Sequence, residues 1–162
     1  MKLPRLFGNR VTWPIWIFVI VLLAAFASRC RAAESELWLE VGATVVRHEA
    51  PVLGFAINWP DAGPTDTDYM LSLHLIGERD GMRPQSALGL MLIDGFGRFD
   101  IGLGLCLLHH VDRRNGSRAN FMLSIAYRFG DGRTTVRERH CSNAGQTEGN
   151  KGLDMALYGR RL

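Results

Sequence analysis

From residue 36 onward the chain keeps returning to one pattern, an apolar residue at every second position. Leu37, Leu39, Val41, Ala43 and Val45 begin it, and Leu53, Phe55, Ile57, Trp59 and then Tyr69, Leu71, Leu73, Leu75 repeat it. The clearest runs are Phe99, Ile101, Leu103, Leu105, Leu107 and Phe121, Leu123, Ile125, Tyr127, Phe129. A strand sends successive side chains to opposite faces, whereas a 3.6-residue helical period would scatter these residues around a cylinder. Turn-rich stretches at 60–68, 77–84, 94–98, 112–117 and 130–132 punctuate the runs at hairpin spacing. The pattern predicts strands near 36–46, 52–59, 69–77, 86–94, 98–108, 118–129, 132–142 and 153–161, with no amphipathic helix between them.

Eight antiparallel strands close in two ways. A soluble barrel turns its apolar face inward around a ligand, and a membrane barrel turns it outward to lipid. The second face decides between them. It carries Gly42, Gly54, Ala56, Ser72, Gly89, Asp100, Gly102, Gly104, Asn120, Ser124 and Arg128, small and polar groups that suit a narrow interior. A water-facing exterior would be rich in Lys and Glu, yet Lys151 is the only lysine after residue 33. Trp59, Tyr69, Phe99, Phe129 and Tyr158 near strand ends fit interfacial girdles. The expected fold is an all-β, eight-stranded antiparallel transmembrane barrel, and the soluble lipid-binding barrel is the alternative.

The N-terminus agrees. Lys2, Arg5 and Arg10 precede an apolar run from Trp13 to Ala27, and Ala32 and Ala33 follow. That is the order of a secretory signal peptide. Residues 1–33 are expected to be cleaved, leaving 34–162 as the barrel. The formal charge of +3 belongs to this segment, which holds 5 of the 19 basic residues and none of the 16 acidic ones; 14 basic against 16 acidic residues leaves about −2. Nucleic acid is thereby excluded as a partner, because the basic excess was its only support. No Cys or His spacing of a metal site occurs, so neither metal nor cofactor is expected. Whether Cys106 and Cys141 are bridged is open at this level.

One strand breaks the alternation. Residues 134–143 are almost devoid of apolar side chains on either face, and such violations are where function is sought. His140 and Ser142 lie two apart, on one face, with Cα atoms about 6.5–7 Å apart. An imidazole there can take the proton that a serine hydroxyl must lose to become a nucleophile. An acid that orients the imidazole completes such a site, and Glu148 and Asp154 are the acids within reach. His74, alternating with leucines, is expected to fill the interior. Arg137 and Arg139 should also point inward, towards Glu40 or Asp100. Arg118 and Arg160 are candidates for phosphate contact.

The stretch His140-Cys141-Ser142-Asn143-Ala144-Gly145, followed by Asn150, Gly152 and Asp154, resembles the C-terminal signature of the PagL-type lipid A 3-O-deacylases, His-x-Ser-Asn-Ala-Gly and then Asn-x-Gly-x-Glu. The resemblance implies an eight-stranded outer-membrane esterase that removes the 3-hydroxyacyl chain at the 3-position of lipid A, the lipid anchor of lipopolysaccharide. By that resemblance Ser142 is the nucleophile, His140 the general base and Asp154 the orienting acid. Asn143 and Gly145 would hold the oxyanion, supported by Asn150. The family's acid is Glu, so Asp154 is one methylene short, and Glu148 is the fallback. The substrate would meet a site on the outer wall by lateral diffusion. Self-association as a homodimer stays open, and a non-enzymatic barrel, structural or adhesive, is the competing reading.

Overall fold

The computed structural model describes residues 34–45, 49–78, 84–110, 117–142 and 152–162. The expected signal peptide, residues 1–33, lies outside them. Eight strands follow one another: β1 (Glu36–Thr44), β2 (Pro51–Trp59), β3 (Asp68–Ile76), β4 (Gln85–Phe96), β5 (Phe99–Leu108), β6 (Ala119–Phe129), β7 (Thr134–Ser142) and β8 (Leu153–Arg161), with one 3-10 turn at Pro64–Asp66. Each strand begins and ends within two residues of the boundaries that alternation predicts. Each pairs antiparallel with the next, and β1 closes on β8. Closure leaves no open edge, the condition a sheet must meet to sit in lipid.

Register fixes the two faces. Ser72 pairs with Gly89, Gly89 with Cys106, Cys106 with Asn120, and Met122 with Cys141. All of these side chains are buried in the interior. Their neighbours Leu53, Phe55, Leu73, Leu88, Leu103, Phe121 and Ile125 are exposed on the outside. Leu103, at 64% exposure, would be a severe misfit on a water-facing barrel. On this wall it is one of a continuous apolar belt. The soluble barrel with an apolar interior is thereby set aside.

The aromatics expected at strand ends gather at one rim. Trp59 pairs with Tyr69 and Phe96 with Phe99, while Tyr127 packs edge-on against Phe99 at 5.1 Å and Phe129 at 4.8 Å. This rim also carries the start of β1, the end of β8 and the turns at 60–67, 97–98 and 130–133. At the opposite rim β1, β3, β5 and β7 end and β2, β4, β6 and β8 begin.

A charged cluster spans the interior. Glu40 on β1 accepts hydrogen bonds from Arg139 at 3.0 Å and Arg137 at 3.3 Å, and its other oxygen lies 2.8 Å from His74 Nε2. Both guanidinium groups also donate to Met70 Sδ, at 2.8 and 3.2 Å. Of the two acids expected to face these arginines, Glu40 takes both, and Asp100 pairs with Arg128 at 3.1 Å. Gly54 makes room for the His74 ring, since a Cβ there would fall 2.3 Å from His74 Cδ2. Cys106 and Cys141 are free and buried. They sit on β5 and β7 with β6 between them, and their thiols meet inside the barrel.

Glu40 is the only acid in contact with two fully enclosed guanidinium groups among the described residues. Removing one partner of a buried ion cluster leaves uncompensated charge and typically costs about 3–5 kcal/mol. Glu40→Ala should therefore lower unfolding stability by about that amount, measured by guanidinium titration of the barrel in detergent micelles.

Candidate functional site

On β7 the even-numbered residues point outward, because Arg137, Arg139 and Cys141 occupy the interior. Glu138, His140 and Ser142 therefore stand on the outer wall. Register places His140 directly opposite Asp154 on β8, and Phe121 on β6 beside Ser142. Such cross-strand neighbours have Cβ atoms about 4.5–5.5 Å apart, within reach of a side-chain hydrogen bond.

That bond forms. His140 Nδ1 and Asp154 Oδ1 lie 2.5 Å apart, with side-chain exposures of 40% and 13%. The carboxylate, the more enclosed partner, fixes the ring by one nitrogen and leaves Nε2 as the nitrogen able to exchange a proton with a third group. Ser142 follows on the same face, half-buried. No hydrogen bond joins Ser142 to His140 among the described residues. Of the acids that sequence leaves in contention, Asp154 meets the imidazole, and the missing methylene is offset by direct cross-strand registration. Glu148, Asn143, Gly145 and Asn150 lie outside the described residues.

Gly152 contributes in a way that spacing did not suggest. Its φ is +74°, and a Cβ built there would fall 2.6 Å from His140 Cε1 and 3.3 Å from His140 Nε2. Only a residue without a side chain leaves the ring its place, and the positive φ favours glycine independently. The signal was present in the sequence, two residues before Asp154, but nothing in spacing links a loop glycine to an imidazole on the previous strand.

The outer wall of β1–β6 between the rims is apolar. The polar strip on β7 and β8 is thus an exception cut into a lipid-facing surface. Among the described residues no cluster of three or more His, Cys, Asp or Glu gathers as a metal site. Arg118 sits just before β6, at the rim where Ser142 ends β7, whereas Arg160 pairs with Thr134 at the opposite rim. Of the two, Arg118 shares a rim with Ser142.

Comparison with known proteins bears on this arrangement. The family model "Lipid A 3-O-deacylase (PagL)" matches residues 94–158, which run from the end of β4 into β8 and include His140, Ser142, Gly152 and Asp154. No curated protein matches the chain. Among solved structures the barrel resembles "Crystal structure of the outer membrane enzyme PagL", with a TM-score of 0.60 and 18% identity over 78% of this chain and 98% of that one. At that identity the likeness speaks for the fold, and the family model speaks for the sequence. Sequence and fold point the same way: residues 94–158 are similar to the PagL family model, and the barrel is similar in fold to the PagL crystal structure.

Proposed function

We propose that this chain is an outer-membrane esterase that hydrolyses the ester-linked acyl chain at the 3-position of lipid A. The observation that carries the reading is the His140–Asp154 pair at 2.5 Å, set on a lipid-facing wall with Ser142 beside it. Residues 1–33 then serve export and are cleaved, and the rim with longer connections faces the outside.

In this reading Asp154 holds the His140 ring through Nδ1, and Nε2 takes the Ser142 proton as Oγ attacks the ester carbonyl. The Oγ–carbon bond forms and the carbonyl electrons move to oxygen, where Asn143 and the Gly145 amide stabilise the charge, supported by Asn150. His140 then returns the proton to the departing sugar oxygen at the 3-position, leaving an acyl-enzyme. Water, deprotonated by His140, releases the fatty acid and restores Ser142. No metal or cofactor enters this chemistry. The location suits the substrate: a lipid held in the bilayer by several chains reaches a wall-mounted serine by sideways diffusion, and extraction from the membrane is avoided.

Expression in a bacterium with fully acylated lipid A should remove one 3-hydroxyacyl chain, read by mass spectrometry of the lipid. Ser142→Ala should abolish the change, and identical spectra for wild type and variant in an inserted barrel would refute the esterase. Asp154→Asn should lower kcat by about 10⁴, as expected when the orienting acid of a triad is lost, while Glu148→Gln should not.

Gly152→Ala supplies an independent check of the geometry. The φ of +74° imposes about 1–2 kcal/mol on any side chain, and the methyl displaces the His140 ring. A misplacement of about 1 Å is enough to cost about 100-fold, so the variant should insert, bind lipid and turn over about two orders of magnitude more slowly in a purified micelle assay.

A further inference from the structure

Glu138 belongs to neither the interior clamp nor the His140–Asp154 pair. It is exposed on the outer wall at the centre of β7, opposite Ile125 on one side and Ala156 on the other. Its carboxylate has no hydrogen-bond or ion-pair partner among the described residues. A carboxylate at this depth of a lipid belt is costly, and ionisable groups so placed usually mark a functional contact whose partner should be named.

Position names it. Glu138 and Ser142 share a face four residues apart, about 13 Å along the strand and about 10 Å in depth at a strand tilt near 40°. Turned towards the rim, a glutamate side chain would span part of that depth, and a hydrogen bond spans about 2.7 Å more. What remains of the drop is close to the distance from an ester carbonyl at Ser142 to the third carbon of an acyl chain hanging down the wall. A 3-hydroxyacyl chain carries its hydroxyl on that carbon. In hydrocarbon such a hydroxyl has no other acceptor.

We propose that Glu138 is a specificity residue: its carboxylate accepts a hydrogen bond from the 3-hydroxyl of the acyl chain whose ester lies at Ser142, so that hydroxylated chains are selected over plain ones. This rests on the esterase reading and deepens it. A site built to pair with a substrate hydroxyl penalises the analogue that lacks one, because its polar group is left without a partner. Neighbouring Ala156 is small, which leaves space beside Glu138 for a chain to lie against the wall.

The test compares two substrates in detergent with the purified full barrel: lipid A bearing a 3-hydroxyacyl ester at the 3-position, and lipid A bearing the unsubstituted acyl ester of equal length. The quantity read is the ratio of kcat/KM for the two, which does not depend on how much protein is folded. Wild type should favour the hydroxylated ester by about 10- to 100-fold, the range of a hydrogen bond to a charged group. Glu138→Leu, which matches the surrounding wall, should bring the ratio close to one. Glu138→Gln, which keeps an acceptor oxygen, should restore part of it. Equal rates on both esters in wild type, or an unchanged ratio in Glu138→Leu, overturn the inference and leave the esterase standing. Altered self-association in Glu138→Leu with an unchanged ratio would also overturn it, in favour of contact with a second copy. Cleavage of neither ester by wild type would overturn the esterase and this inference together.

Discussion

Lipid offers backbone amides nothing to bond to, and that single deficit organises this molecule. Every strand must be paired on both sides, so the sheet closes, and closure locks each residue into an inward or outward parity that cannot change locally. A slip of one residue in β7 would bring Arg137 and Arg139 into the lipid and hide His140 and Ser142 inside. The Glu40 clamp opposes such a slip, because both guanidinium groups of β7 end on one carboxylate of β1. The interior ion cluster and the outer-wall site are therefore two faces of one strand, and what secures the first sets the position of the second.

The site itself needs little beyond that parity. Cross-strand register brings His140 and Asp154 together, period two puts Ser142 on the same face, and Gly152 clears the ring. Apart from the loop between β7 and β8, no insertion or separate domain is required. On the proposed function, this economy matches a substrate that arrives already concentrated and oriented by the membrane, and the surface bearing Ser142 has only to face the lipid at the correct height.

Much of this was legible from the residues, and the limits have physical reasons. Alternation identified all eight strands, and parity followed wherever one face held Gly, Ser or Arg and the other Leu or Phe. His74, Arg137 and Arg139 could be turned inward on that basis alone. The partner of the arginines could not be chosen between Glu40 and Asp100, because pairing across a barrel depends on closure, which neighbouring residues do not encode. Spacing alone left both Asp154 and Glu148 within reach for a related reason, that the stretch after β7 does not determine register on β8, and it was the resemblance that favoured Asp154. The aromatics were legible as strand-end residues, and that they share one rim emerged only from the closed sheet. Glu138 went unremarked because it sits between two arginines, and only its parity reveals that it leaves them and faces lipid.

The central claim is that the face of β7 bearing His140 and Ser142 looks into the bilayer. Spin labels placed singly along residues 135–142, in a barrel with its own cysteines replaced and reconstituted in vesicles, measure this directly through collision with oxygen, which partitions into lipid, against a water-soluble nickel chelate. The account predicts a strict period of two, with oxygen contact high at positions 136, 138, 140 and 142 and low at 135, 137, 139 and 141. The opposite phase, or labels at 140 and 142 that meet the chelate more than oxygen, would contradict it.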